Sequence, residues 1–556
     1  MSKNPNDIDN IAEHLEEGQQ EESDQRFRRA GGWAGWLISL SFHALLIALM
    51  TCIYFLVKPP EVDMPPVRIA MIESPPKHEE KPKVARTLET TVELDVQTES
   101  DHPNPISQLE LPVENSEREE DNDNPVAKGR EEAIADSEMG GSLALMAIGV
   151  GGGGSGMFGS RTPGGKKRAV GKLGGSKGSE SAVDTALRWL KKHQSPNGMW
   201  DCEHYPENCV EAQRCEPGKH WLEDQCEVGL TGFAVLCYLG AGYDHQTPNK
   251  YKVTDKKGLD YLISIQNANG YIGRRNYENA VATMALAEAF AMTGDPALRG
   301  PAQNGVNAIL ACQNQDLAPG AAPKESGYGN GFGWDYVSAT ARNDSSVTGW
   351  QVMALKSALA GGLNVGNGMD GAKKWLERTW KATNPGWASL NPYTGESRMP
   401  YAFDSATGAI DIAGAPAPGA PSPEAHDLTC VGCVCAVFLG HHAGDPMLET
   451  LANYVSSHQI PKAYPCNTYY MYYNTLAMFQ VGGEKWKTWN RSVRDMPVNA
   501  QRKDNGCLDG SWDWAGTWPG LCPAGTLECG GRVLSTVFCC LSLEVYYRYA
   551  KVAGGK

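Results

Sequence analysis

The hydrophobic pattern after residue 180 consists of helical segments that come in pairs, each pair joined by a turn rich in glycine and tryptophan. The first pair reads AVDTALRWLKKHQSPNGMW and then EVGLTGFAVLCYLGAG, and five further pairs follow. The first segment of each pair is amphipathic, whereas the second is apolar almost all round and is therefore expected to be buried on all sides. Six such hairpins predict an all-α fold, an α/α toroid with an inner and an outer ring of helices.

One threonine recurs at the same position of each apolar segment. We expect each hydroxyl to bond to a carbonyl one turn earlier, which would let the inner helices pack closely. The six are Thr231, Thr283, Thr348, Thr429, Thr475 and Thr536.

Polar side chains near the start of these segments are expected to share one level around the ring, at the mouth of its cavity. They are Glu227, Asn279, Asp344, Asp427 and Arg532. Because the first and sixth inner helices are neighbours in a closed ring, Glu227 and Arg532 are a candidate ion pair. The alternative is that each charge points to solvent and caps its own helix.

A different apolar pattern occupies residues 33–57, which contain no Asp, Glu, Lys or Arg. A helix of that length can cross a bilayer, so we expect a transmembrane helix. The arginines of residues 26–29 precede it and only Lys58 directly follows. The positive-inside rule then predicts that the acidic tail, residues 1–32, is cytoplasmic and the large domain periplasmic, in a single-pass protein of the bacterial inner membrane.

Composition separates the segment 58–180 from the domain 181–556. Phe158 is the only aromatic residue of that segment, which carries proline pairs and mixed charge and then becomes glycine-rich. Such a sequence cannot offset its ordering entropy, so we expect a disordered linker. We expect its basic stretch 161–172 to be a solvated hinge, and contact with anionic lipid is the alternative. The formal net charge of −15 excludes a nucleic-acid partner, since phosphate binding needs a concentrated basic surface.

The apolar stretch contains Ser39 and His43, which share one helix face. A Ser-x-x-x-His pair followed by KPPEVDMPP resembles the anchor of TonB-type energy transducers. The resemblance implies that His43 takes part in a proton relay with a motor complex, and that an envelope protein is a partner. The alternative is a neutral imidazole bonded to the Ser39 hydroxyl.

The repeat also resembles a known superfamily. Gln194, Gly198 and Trp200 form a Gln-x-x-x-Gly-x-Trp string, echoed at Gln266 and Gly270, that is similar to the repeat of squalene cyclases and protein prenyltransferases. The resemblance implies a terpenoid-cyclase-like toroid over most of residues 181–556.

The catalytic motifs of that superfamily are missing. There is no DxDD string, and the positions that match the zinc ligands of prenyltransferases hold Ala280, Ala282 and Ser535. We therefore predict no metal and no cofactor. The weak catalytic candidates are isolated acids for which helix capping or turn formation is the alternative role. These acids are Asp344, Asp427 and Asp513.

Seven cysteines lie in two loops of the large domain and are interpreted as disulfide candidates of an oxidising compartment. A zinc site with His204 or His220 is the competing interpretation, although the cysteine spacings fit no usual zinc motif. The seven are Cys202, Cys209, Cys215, Cys226, Cys507, Cys522 and Cys529.

Three functions remain open at this stage. The first is a binding module whose central cavity holds an apolar or isoprenoid-like ligand, or whose rim holds a protein. The second is a terpenoid-cyclase-like or glycan-acting enzyme that uses acids at the mouth. The third is a component of a proton-driven envelope system.

Overall fold

The structure, a computed structural model, describes residues 39–48, 124, 125, 127, 159–211, 213–219, 226–317, 331–412, 428–503, 506–513 and 530–549. The chain divides into two compact units, Met1–Ser107 and Gln108–Lys556. In the first unit residues 39–48 are helical and their side chains are exposed. Across the described segments, no helix is both long and apolar enough to span a bilayer.

The second unit is built mainly from α-helices. In chain order they are α1 (Pro163–Leu173), α2 (Lys177–Lys192), α3 (Glu227–Gly240), α4 (Lys252–Ser264), α5 (Asn276–Thr293), α6 (Pro296–Ala311), α7 (Ser345–Ala360), α8 (Gly368–Thr383), α9 (Thr429–Phe438), α10 (Pro446–His458), α11 (Thr468–Val481), α12 (Gly483–Val493), α13 (Asp495–Ala500), α14 (Gly531–Leu543) and α15 (Val545–Arg548).

Six of these helices form a closed inner ring. Helices α3, α5, α7, α9, α11 and α14 contact one another in that order, and α14 contacts α3. Outer helices lie between two inner neighbours: α4 contacts α3 and α5, α6 contacts α5 and α7, and α2 contacts α14 and α3. The predicted toroid of six hairpins is therefore confirmed, and so is its closure between the first and sixth hairpins.

The fold also contains a small antiparallel sheet that the all-α prediction missed. Its strands are β1 (Arg342–Asp344), β2 (Ala402–Asp404) and β3 (Ile410–Asp411), with Arg342 opposite Asp404 and Ala402 opposite Asp411. The strands come from the long inserts of the third and fourth hairpins, where the helical period gives no information.

The folded unit begins earlier than the predicted boundary at residue 181. Residues Gly159–Arg161 form a 3₁₀ turn, α1 follows it, and α2 begins at Lys177. The predicted solvated hinge is wrong because Arg161 is fully buried and donates to the carbonyls of Leu239 and Arg548.

A glutamine after the outer helix ties each of four hairpins to the next. Gln194 Nε2 donates to the carbonyl of Gly198, 2.9 Å away, and to that of Thr254 in α4, 3.0 Å away. The same pair of bonds recurs at Gln266, Gln313 and Gln501. Gln501 of the sixth hairpin donates to Ala182 in α2, so the repeat's own contact also joins the last hairpin to the first.

The six inner threonines are buried, but most do not bond as predicted. Thr475 does donate back to a carbonyl one turn earlier, that of Met471. In four hairpins the hydroxyl instead accepts the main-chain N–H of a residue in the preceding turn, as Thr231 does from Trp200 at 3.0 Å. The threonine therefore fixes the turn onto the inner helix.

The middle of the inner ring is filled by aromatic side chains. Phe233 of α3 and Trp350 of α7 meet across the ring with centroids 4.9 Å apart, and Trp350 stacks on Tyr472 of α11. Phe538 of α14 contacts Phe233 and Tyr472. These rings are at most 3% exposed. In the middle of the ring, side chains therefore occupy the space in which an isoprenoid ligand would have to bind.

Buried charges lie where the inner helices end. Glu288 of α5 pairs with Arg161 and, at 2.9 Å, with Arg548, and all three are at most 1% exposed. Arg548 also approaches Glu544 at 3.5 Å. Burial raises the pKa of Glu544 to about 8, against the opposing effect of Arg548.

Candidate functional site

The opposite end of the ring, where the inner helices begin, carries the predicted mouth residues. Asp344 is the N-cap of α7, and its carboxylate accepts the N–H groups of Ser346 and Val347 at 3.0 and 3.1 Å. Burial raises its pKa, and Arg342 opposes that effect. Asp344 therefore caps a helix, which is the structural alternative to its catalytic role.

Arg342 is the central side chain of this mouth. Its guanidinium contacts Asp335 at 2.7 Å and Asp344 at 3.1 Å. It also lies over the rings of Tyr336 and Tyr401, at 5.6 and 5.8 Å from their centroids. The side chain of Arg342 is 35% exposed. Its guanidinium is therefore fixed by two carboxylates and two aromatic rings and is still accessible to solvent.

The two tyrosines join at their hydroxyl groups, whose oxygens are 2.6 Å apart. Burial, together with the charge of Asp344, raises the pKa of both phenols, so both stay protonated at neutral pH. One proton suffices for the bond between them. The other hydroxyl proton is not needed for that bond. We call Asp335, Tyr336, Arg342 and Tyr401 the rim cluster.

A second charged group crosses the seam of the ring. Arg532 contacts Asp513 and Glu216, each at 2.8 Å. These two acids lie in the segments before α3 and α14, and the described contacts of Arg532 do not include the predicted partner Glu227. The pairing of Arg532 with Glu216 still links the sixth hairpin to the first.

The remaining mouth predictions have mixed outcomes. Asn279 is fully buried and accepts the N–H of Ile272, which gives it the turn-fixing role of the threonines. Glu227 is buried at the first position of α3. Asp427 lies outside the described residues.

Neither described candidate acid is placed as a proton donor. Asp344 is fully buried under its helix N-terminus. Partial burial acts to raise the pKa of Asp513, but the guanidinium groups of Arg502 and Arg532 hold it below its usual value. A general acid needs both access to the substrate and a raised pKa. Both carboxylates are therefore assigned to stabilising the mouth.

The cysteine loops bring together a different set of side chains from the one predicted. Cys226 and Cys202 are in Sγ–Sγ contact at 3.1 Å, longer than a disulfide of about 2.05 Å, so the expectation that some of these cysteines form a disulfide stays a prediction. Donor atoms of His193, Cys209 and Cys507 lie within 4.8 Å of one another. Cys522 and Cys529 lie outside the described residues.

The positions that match prenyltransferase zinc ligands serve the core instead. Ala280 and Ala282 are fully buried in α5, and Ser535 donates to the carbonyl of Trp512 at 2.9 Å. The competing histidine, His204, contacts Asp201 and is 58% exposed, and His220 lies outside the described residues.

In the N-terminal helix, His43 does not bond to the Ser39 hydroxyl. Its Nδ1 donates to the main-chain carbonyl of Ser39, 2.7 Å away. The TonB-like role of this pair stays a prediction.

No family model matches the chain, and no curated protein is significantly similar in sequence. Among solved structures it is similar to an α-amylase from Clostridium perfringens (13% identity, TM-score 0.41, covering 67% of this chain and 99% of that one). It is also similar to the GH76A α-1,6-mannanase of Salegentibacter sp. HEL1_6, with 10% identity and a TM-score of 0.42, covering 66% of this chain and 98% of that one. A third similar structure is a D-mannose isomerase, with 12% identity and a TM-score of 0.44, covering 66% of this chain and 97% of that one. Likeness at this level is too low to assign an activity.

The rim cluster was missed in the sequence because none of its members lies in a repeat motif. Tyr336 and Arg342 come from the insert of the third hairpin, and Tyr401 comes from that of the fourth. They meet through the pairing of β1 with β2. Aromatic residues in otherwise polar inserts are a sequence signal for a functional site. That signal does not show that residues of the two inserts contact each other.

Proposed function

We propose that the toroid binds a polyhydroxylated, carbohydrate-like ligand at its rim. The observation that carries the proposal is the rim cluster, in which Arg342 is held by carboxylates and flanked by Tyr336 and Tyr401. Such a site combines charge-assisted donors, a spare phenol proton and aromatic faces, which suits a ligand that is polar at its edges and less polar on its faces. The filled interior favours this rim over a central isoprenoid site.

A binding role is favoured over hydrolysis by the state of the acids. A glycosidase needs two carboxylates flanking the scissile bond, one of them a protonated acid. Asp335 and Asp344 share one guanidinium, and Asp344 is inaccessible.

The test is an immobilised array of neutral and acidic oligosaccharides probed with the full chain in mild detergent. We expect binding to at least one sugar class, weakened about 10-fold or more in Arg342→Ala, because a lost hydrogen bond to a charged group costs about 1.5–3 kcal/mol. Tyr401→Phe, which removes only a hydroxyl, should weaken binding by a smaller factor.

Arg378→Ala is the matched control. Arg378 contacts Asp316 at 2.7 Å and lies over the rings of Phe332 and Phe403, but these rings carry no hydroxyl groups and the residue belongs to the outer helix α8. Absence of binding across the array, or equal loss in Arg378→Ala, would contradict the proposal. Release of reducing ends from a bound sugar would show an enzyme instead of a binding module.

We further propose that residues 33–57 anchor the protein in a membrane with the toroid on the periplasmic side. In support, large apolar side chains of the described helix are exposed, among them Leu45 at 71% and Ile47 at 66%, and such surfaces need lipid or a partner. Membrane fractionation and protease protection in intact cells test this. Recovery of the full chain in the soluble fraction would contradict it.

A further inference from the structure

A buried group of nitrogen and sulfur atoms lies at the seam of the ring, apart from the rim cluster. Four side chains form it: His193, which follows α2, Cys209 and Cys215 of the next loop, and Cys507 from the turn before α14. We call them the seam cluster. His193 is fully buried, and the three cysteines are at most 9% exposed. Side chains with three sulfurs and one imidazole are the ligands of many structural zinc sites.

The orientation of the imidazole suits metal binding. His193 Nδ1 lies 2.8 Å from the main-chain oxygen of Trp189. A carbonyl can only accept, so the Nδ1 atom carries the proton. The lone pair of the neutral ring is then on Nε2, which faces the cysteines. A ligating histidine is usually fixed in this way, with its second nitrogen donating to a carbonyl or carboxylate.

The distances suit a tetrahedral ion. Nε2 of His193 is 3.4 Å from Cys209 Sγ and 3.6 Å from Cys215 Sγ. With Zn–N near 2.0–2.1 Å and Zn–S near 2.3 Å, the N···S edge of a tetrahedron is about 3.6 Å. Donor atoms of His193, Cys209 and Cys507 also lie within 4.8 Å of one another. Small side-chain rotations would complete the tetrahedron.

The hydrogen bonds of the sulfur atoms affect whether each is a thiol or a thiolate. The N–H of Cys215 donates to Cys209 Sγ at 3.3 Å, which favours a negative sulfur. The Cys507 thiol donates to Glu211, which also contacts Lys192. Metal binding would release the thiol protons, and Lys192 would keep Glu211 paired.

We propose that the seam cluster binds one structural Zn²⁺ and thereby ties the first hairpin to the sixth. Soft thiolates with one imidazole favour zinc over hard, oxygen-binding cations. With four protein ligands the site would be closed, as in structural rather than catalytic zinc sites. Local spacing in the sequence does not indicate this metal site, because Cys507 is 292 residues away from Cys215.

The test measures the zinc content of the full chain, purified with detergent and without added chelator. We expect about one zinc per chain, reduced at least 10-fold in Cys209→Ser and in Cys507→Ser. Cys312→Ser is the matched control, since this partly buried cysteine follows α6 as His193 follows α2. It should keep its zinc.

Two measurements on the unmutated chain keep the proposal testable if the variants fail to fold. Cobalt(II) added to the zinc-depleted protein should give the thiolate charge-transfer and visible bands of a tetrahedral site. Removal of zinc by a chelator should raise hydrogen exchange in residues 199–219 and 502–513 more than in the fourth hairpin. Absence of stoichiometric metal after incubation with Zn²⁺, or a disulfide among Cys209, Cys215 and Cys507 found by mass spectrometry, would overturn the proposal.

Discussion

At the residue scale, the inner threonines differ in what their hydroxyl groups do. Thr231 accepts the buried N–H of Trp200, whereas the hydroxyl of Thr283 has no hydrogen-bond partner among the described residues. In the second hairpin the corresponding N–H goes to Asn279. A position that repeats in the sequence therefore does not repeat in its energetic role.

Thr231→Val is expected to destabilise the protein by about 1–3 kcal/mol, since it leaves the N–H of Trp200 buried and unsatisfied. Thr283→Val, the same substitution at the equivalent position, should be close to neutral. Chemical denaturation of both variants checks this. Equal losses would contradict the assigned roles.

Lys356 is a buried cation whose ammonium donates to the carbonyl of Phe438 at 3.3 Å. Burial lowers its pKa to about 8 from an ordinary value of 10.5. Between these values the unfolded chain binds more protons than the folded one, so this residue makes stability rise with pH from about 8 to about 10.5.

Lys356→Met should remove that rise. At pH 7 it should also stabilise the fold by up to about 3 kcal/mol, less the value of the lost hydrogen bond, because it no longer buries a charge. Denaturation curves at pH 7 and pH 10 measure both effects. A variant with the same increase in stability between these pH values as the wild type would refute the assignment.

At the element scale, the hairpins are set by the close approach of each turn to the next outer helix. Gly198 has φ +96°, and a Cβ there would lie 2.2 Å from the carbonyl oxygen of Lys257 in α4. Gly270 and Gly510 repeat this approach at other hairpins. Glycine is required at these turns for both its backbone conformation and its size.

Gly198→Ala is expected to cost more than about 3 kcal/mol, since it adds a clash with main chain to the strain of a positive φ. Gly294→Ala is the control. That glycine also has a positive φ of +71°, but no atom lies within 4 Å of an added Cβ, so about 1–2 kcal/mol is expected. Thermal or chemical denaturation separates the two, and similar losses would rule out the close approach.

At the scale of the whole molecule, closure of the ring depends on contacts between the first and sixth hairpins and on the chain segment that precedes them. Gln501 and Arg532 join these hairpins at the mouth. At the other end Arg161, from the segment before α1, pairs with Glu288 of α5. The folded unit therefore includes the end of the predicted linker.

Arg161→Met is expected to destabilise the toroid by about 3–5 kcal/mol, because it removes one partner of the buried carboxylate of Glu288. Arg188→Met should change stability by less than about 0.5 kcal/mol, since Arg188 is 60% exposed and its pair with Asp184 is solvated. Urea denaturation of both variants measures the difference. A small loss for Arg161→Met would show that Arg548 alone neutralises Glu288.

The sequence by itself determined the number of hairpins, which helix of each pair is buried, and the capping role of Asp344. These three features depend on periodicity and on contacts within a few residues, so each can be inferred from one short segment of the sequence. The rim cluster, the seam cluster and the partners of Arg532 were decided by the tertiary structure, because their members lie in inserts that only ring closure and strand pairing bring together. The tertiary structure also decided that side chains fill the centre of the ring. The sequence could not decide this, because an apolar inner face can be buried either against a ligand or against the side chains of opposing helices.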